Sequence, residues 1–251
     1  MGPSLLEVNG VSVGFDGFMA LNELSFVLFE DQITVIIGPN GAGKTTLLDV
    51  ITGRTRADSG TIDFDGHRIT GLTDYKIARR GIGRKFQTPS VFPDLTVWDN
   101  LVLAGRPVKT VWSTLRSRTN AAERARLQEI LELIGLQTRG LVAAGTLAHG
   151  ERQWLEIGMV LAQQPKLMLI DEPIAGMTAS EALRTADILR RVSDRCSVLV
   201  VEHDMEFVKR IADRVSVFHQ GQLLVEGSFE RISADPRVQE IYLGTGAAAH
   251  V

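Results

Sequence analysis

The 251-residue chain is 44% apolar and 23% charged, enough apolar content to offset chain entropy, which excludes a disordered polymer. A formal charge of −3 offers no basic field for nucleic acid, and a single cysteine, Cys196, excludes an internal disulfide or a zinc cluster and fits a reducing compartment. No apolar run approaches the ~18 residues that span a bilayer. Met1-Gly2-Pro3-Ser4-Leu5 lacks the basic start and apolar stretch of a secretory signal. At ~150 residues per domain, the length allows one to two domains.

The elements follow in chain order. Leu6-Glu7-Val8 and Val11-Ser12-Val13 alternate as strands, and Ser25–Phe29 is rich in β-formers. Ile33–Ile37 is an apolar run broken only by Thr34, the mark of a strand buried on both faces. A Gly-rich turn leads into a helix over Thr45–Thr52, closed by Gly53. Gly60–Phe64 reads as a strand ending in the Asp65-Gly66 turn. In the middle of the chain, Asn120 and Glu123 have capping-box spacing, and Leu127, Ile130, Leu131 and Ile134 repeat at helical intervals. A second helix runs from about Glu151 to Gln163 and stops before Pro165. The α/β pattern resumes with a buried strand over Lys166–Asp171. A helix then follows Thr178-x-x-Glu181, with Leu183, Ala186, Leu189 and Val192 inward. Ser197–Glu202 is a further strand, and Val215–Phe218 with Leu223–Glu226 forms a hairpin. The predicted fold is α/β: a parallel-sheet core, an N-terminal antiparallel β subdomain and an inserted helical subdomain. The boundaries are one domain over 4–243, with 4–87 and 164–243 as core, 88–163 as the helical insert, and 244–251 as a mobile tail.

The strongest motif is Gly38-Pro39-Asn40-Gly41-Ala42-Gly43-Lys44-Thr45-Thr46, a G-x-x-x-x-G-K-[ST] loop between a strand and a helix. Its glycines let successive N–H groups turn toward phosphate oxygens, and the following helix adds its positive end. Lys44 is placed to reach the outer phosphates of ATP, and Thr45 to ligate Mg²⁺. With only six lysines in the chain, one at this position is unlike the background. Leu167–Ile170 ends in Asp171-Glu172, two carboxylates at the sheet edge where α/β folds bind ligands. Asp171 fits a Mg²⁺ carboxylate and Glu172 the residue that positions attacking water. Together these motifs define a P-loop NTPase, and the absence of an Asn-Lys-x-Asp sequence argues against GTP.

The order and spacing of the remaining residues resemble the ATP-binding subunits of ABC transporters over residues 4–243. The resemblance implies that Phe15 stacks on adenine, where the family more often has Tyr. It implies that Gln87 contacts Mg²⁺ and the attacking water and that His203 contacts the γ-phosphate. Leu147-Ala148-His149-Gly150-Glu151 stands where the family has Leu-Ser-Gly-Gly-Gln, a segment that closes over the ATP of the opposite subunit. Ala148 lacks the hydroxyl donor, whereas His149 has a ring N–H to offer. Pro173–Thr178 departs from the family's usual Leu-Asp ending.

Five segments narrow the resemblance: His149-Gly150 inside the signature, Arg152–Met159, Glu172–Thr178, Gly38–Thr46 continuing to Asp49–Gly53, and Phe92–Val97. They look like the urea-type branch of the branched-chain amino acid importers. The resemblance implies Mg²⁺-dependent ATP hydrolysis, a second and different ATPase subunit, and two membrane permease subunits. It also implies an extracytoplasmic solute-binding protein and a place on the cytoplasmic face of the membrane, with no nucleic acid. The apolar surface between Gln87 and Ala104, with Phe92, Val97 and Trp98, is the expected permease groove, or else ordinary core. Uptake of branched-chain or other amino acids is the alternative to urea. A non-transport ABC ATPase and an ATP-holding subunit without hydrolysis are the further readings.

Overall fold

A computed structural model describes residues 2–85, 91–106 and 120–246, with side chains described to residue 241. Two compact units divide them: one formed by the chain up to Arg80 together with the chain from Ser197, the other Gly81–Cys196.

The first unit opens with β1 (Ser4–Phe15) and β2 (Phe18–Phe29), an antiparallel hairpin. The two short runs read from the sequence are one strand here. The break falls at Gly10, whose φ of +56° lets the register shift between Val8 and Val11 without ending the strand. β4 (Ser59–Phe64) and β5 (His67–Arg68) complete a four-stranded sheet in the order β2-β1-β4-β5. The second sheet of this unit is built on β3 (Ile33–Ile37), every residue of which is buried. It pairs in parallel with β8 (Ser197–Val201) on one side and β9 (Arg214–His219) on the other. β10 (Gln222–Gly227) closes a hairpin with β9. Ile36 lies opposite Val201 and Ile37 opposite Val217, so the three parallel strands end at one edge. Helix α1 (Lys44–Ile51) packs Leu47, Leu48 and Ile51 into the core, where Phe26 and Phe218 meet edge to face at 6.0 Å. Helices α7 (Met205–Ile211), α8 (Phe229–Ser233) and α9 (Pro236–Gly246) follow the strands; α9 runs into the segment expected to be a tail. Helix α2 (Asp74–Arg79) was not read from the sequence.

In the second unit, β6 (Ile82–Lys85) and β7 (Leu167–Asp171) pair in parallel. Helices α3 (Val97–Ala104), α4 (Ala121–Leu133), α5 (His149–Ala162) and α6 (Ala179–Ser193) pack around α5. Asn120 accepts from the Glu123 N–H at 2.8 Å and caps α4. The Glu123 carboxylate pairs with Arg106 at 2.7 and 2.8 Å and also interacts with the Asn120 backbone N–H. The Arg106 hydrogen bonds hold that carboxyl below its usual range. Thr178 and Glu181 close a full capping box on α6. Ala186, Leu189 and Val192 of α6 are buried as expected, together with Thr185 and Ile188, but Leu183, also expected inward, is 49% exposed.

Candidate nucleotide-binding site

The P-loop leaves the end of β3 and enters α1. Gly43, the N-cap residue, has φ +95°, and a Cβ there would run into the Ala20 carbonyl. A Cβ on Gly38, at φ +151°, would run into the Phe218 carbonyl. Both positions therefore require glycine on backbone conformation and on close approach. No side chain caps α1, and no acidic residue lies in its first turn, so its N-terminal N–H groups favour an anion. Lys44 Nζ donates to Gly38 O at 2.7 Å and to Pro39 O at 2.9 Å, which draws the ammonium over the loop between Gly38 and Gly43. Pro39, Asn40, Gly41 and Ala42 form the loop's outer turn, closed by Ala42 N–H donating to Pro39 O at 3.2 Å. Thr45 and Thr46 stand in the first turn of α1.

Phe15 ends β1 and lies opposite Phe18 across the Asp16-Gly17 turn. It is 49% exposed, an open aromatic face rather than a core side chain. His203 follows β8, so it shares its sheet edge with the P-loop. Its side chain is exposed, while its N–H donates to the buried Glu202 carboxylate at 2.8 Å. Glu202 also accepts from Asp204 N–H at 3.3 Å, and so shapes the backbone that presents the histidine.

The second unit carries the carboxylates. Asp171 ends β7 and is 3% exposed, with Arg84 Nη2 3.8 Å from its Oδ2. Glu172 adopts φ +47°, an uncommon conformation for a glutamate just beyond a buried strand. Such backbone costs about 1–3 kcal/mol and concentrates at functional sites. Gln87 lies outside the described residues.

The signature segment begins α5. Ala148 is its N-cap residue and has no side-chain acceptor, so half of a capping box exists: Glu151 Oε2 accepts from Ala148 N–H at 3.1 Å. Glu151 also pairs with Arg139 at 3.4 Å, which gives it a role within its own chain. Gly150 is buried in the first helical turn. His149 Nε2 lies 3.2 Å from the Ala175 carbonyl. A carbonyl only accepts, so Nε2 bears the proton, and in the neutral ring Nδ1 is an acceptor. Ala175 belongs to the Pro173–Thr178 segment, so the signature and that segment are tied within one unit.

Further along α5, Trp154 Nε1 donates to Thr185 Oγ1 at 2.9 Å, and the Arg184 guanidinium stacks on the indole at 4.1 Å. In the expected permease groove, Val97 is fully buried and belongs to the core, Trp98 is half-buried and Phe92 is exposed. Asn100 holds the Phe92 turn: its Oδ1 accepts from Phe92 N–H at 2.8 Å, and its Nδ2 donates to Phe92 O at 3.1 Å. Sequence reasoning passed over Glu202, Arg84, Lys85, Glu156 and Asn100. Glu156 had a visible signal, a lone carboxylate in the apolar run Trp154–Val160.

The family model described as ABC transporter matches residues 21–175, and that described as Branched-chain amino acid ATP-binding cassette transporter matches residues 222–248. The high-affinity branched-chain amino acid transport ATP-binding protein BraF of Pseudomonas aeruginosa is 36% identical, covering 97% of this chain and 99% of that protein. LivG of Escherichia coli, of the same description, is 35% identical with the same coverage. The ADP conformation of MJ1267, an ATP-binding cassette of an ABC transporter, matches with a TM-score of 0.85 at 31% identity, over 96% of this chain and 99% of that one. Fold, P-loop and relatives define an ABC-type ATPase. The chain belongs to the ABC transporter ATP-binding subunits of the branched-chain amino acid importer type. It is the ATPase subunit of an ABC importer.

Proposed function

We propose that this chain drives the uptake of branched-chain amino acids. Relatives named for that transport, matched over 97% of the chain, are the observation that favours it over urea. The match to a branched-chain amino acid transporter model over residues 222–248 agrees. The whole segment 4–243 then works as one cassette, on the cytoplasmic face of the membrane. No helix among the described residues is long and apolar enough to cross a bilayer, so permease subunits would hold it there, with Phe92 and its Asn100-braced turn at the contact.

In the site, Phe15 offers a face to adenine, and the N–H groups of Gly38–Thr46 with Lys44 take the phosphates. Thr45, Asp171 and Gln87 would each offer Mg²⁺ an oxygen donor, the chemistry it prefers, and the buried Asp171 carboxylate at a strand end fits that role. Bound there, Mg²⁺ would neutralise phosphate charge. Glu172 positions the attacking water and takes its proton, and His203 steadies the outer phosphate.

The signature segment has no role toward its own P-loop in this reading; it completes the ATP site of a second ATPase subunit. Because Ala148 lacks the hydroxyl and His149 Nε2–H is engaged by Ala175, the site completed by this signature turns over more slowly than the one completed by a partner's signature. The test is purification of the tagged chain from membranes. Permeases, a second ATPase and an amino-acid-binding protein in the eluate support the reading. A urea-binding protein in their place overturns the solute.

A further inference from the structure

Phe15 and the P-loop belong to different sheets. Phe15 stands at the tip of the β1–β2 hairpin, whereas the P-loop leaves β3, in the sheet that holds β9 and β10. One nucleotide engages both only if the aromatic face stands at a fixed distance from the loop. The β9–β10 turn lies between them. His219 pairs with Gln222, and the two residues between, Gln220 and Gly221, have φ +49° and +76°, a tight two-residue turn. Gly221 uses both of its backbone polar groups outside that turn. Its N–H donates to the Ala42 carbonyl of the P-loop at 3.2 Å, and its carbonyl accepts from the Asn22 N–H of β2 at 3.0 Å.

The approach is as close as bare backbone allows. A Cβ on Gly221 would lie 2.8 Å from the Ala20 carbonyl oxygen and 3.0 Å from both Asn22 N and Leu21 Cα. The turn conformation by itself favours glycine, but these three contacts come from β2 and are no demand of the turn. The Ala20 carbonyl also crowds Gly43, and the Phe218 carbonyl crowds Gly38, so β2 and β9 flank the P-loop at both ends. Phe26 and Phe218 hold the hairpin against β9, yet apolar contact is non-directional and tolerates sliding. Two hydrogen bonds through one residue are directional and fix a distance.

We propose that Gly221 is a positioning residue for the nucleotide: it sets the span between the Phe15 face and the N–H groups of Gly38–Thr46, so that base and phosphates are engaged together. The proposal rests on the reading of Phe15 and the P-loop given above.

The test is titration calorimetry on the full-length chain with two ligands, an ATP analogue with an imido β,γ-bridge and inorganic tripolyphosphate, which has no base. Gly221→Ala should weaken the analogue about tenfold, the loss of one base–aromatic stack, and leave tripolyphosphate within about twofold. Phe15→Ala should do the same. Adding Gly221→Ala to Phe15→Ala should weaken the analogue no further, because both act through one contact. Equal weakening of the two ligands by Gly221→Ala overturns the proposal. So does wild-type affinity in that variant, or a double variant that multiplies the two single effects. If Gly221→Ala does not fold, amide exchange of the wild-type chain decides: the analogue should slow exchange at the Gly221 and Asn22 N–H groups more than saturating tripolyphosphate does. Equal protection by the two ligands overturns the proposal. Phe15→Ala alone judges the adenine reading: unchanged affinity there removes it, whereas a weakened Phe15→Ala beside a normal Gly221→Ala sinks only the role of Gly221.

Discussion

Restoring the missing hydroxyl by Ala148→Ser separates two effects. Ala148 already has N-cap geometry, with φ −61° and ψ 163°, and Glu151 already accepts from its N–H at 3.1 Å. A serine Oγ there needs only to accept from the Glu151 N–H to close the capping box. That cap stabilises the helix by about 1 kcal/mol, or about 2–4 °C in thermal midpoint for a chain of this size. The hydroxyl keeps its O–H free to donate to phosphate while it accepts from the backbone. A hydrogen bond to a charged group contributes about 1.5–3 kcal/mol. If it forms fully in the transition state, the site completed by this signature speeds up about 10- to 150-fold. Calorimetry on the isolated chain reads the first effect, and ATPase assays on the assembled transporter read the second. A higher thermal midpoint with an unchanged rate would refute the claim that the absent hydroxyl limits this site.

Three further outcomes are expected. The Glu123 carboxyl titrates below its ordinary value because Arg106 bonds it, so its contribution to stability is full above about pH 4.5 and fades as pH falls through the depressed value. The stability gap between wild type and Glu123→Gln in urea titrations should therefore close in acid; a gap unchanged down to pH 3 contradicts this. Burial pushes the Cys196 thiol up to about 12, so a thiol reagent at pH 8 should label the folded chain at a negligible rate and the unfolded chain at once. Rapid labelling of the folded protein would contradict the packing of that residue. Phe92→Asp should leave ATP binding intact and lower recovery of the permeases with the tagged chain; full recovery assigns the docking surface elsewhere.

Much of the nucleotide site was legible because its elements are extreme in sequence. Ile33–Ile37, apolar but for Thr34, and Leu167–Ile170 are short buried-strand runs, and each leads directly into one of the two motifs singled out for nucleotide chemistry. Leu183 was misplaced for a geometric reason. A series stepping by three residues drifts around a helix at 100° per residue, and Leu183 ends about 160° from Thr185 at the centre of the buried stripe. The strand β6 escaped notice because Ile82-Gly83-Arg84-Lys85 carries two charges, each neutralised by a partner distant in sequence. Glu156 is 71 residues from Lys85, a pairing that no local period records. The tautomer of His149 likewise depends on a carbonyl 26 residues away.

Accumulation of labelled leucine by cells expressing Glu172→Gln in place of the wild-type chain tests the account most directly. The variant should still assemble and retain ATP, since Glu172 lies outside the P-loop, yet leucine accumulation should stop. Leucine uptake at the normal rate, or loss of urea uptake with leucine uptake intact, would contradict it.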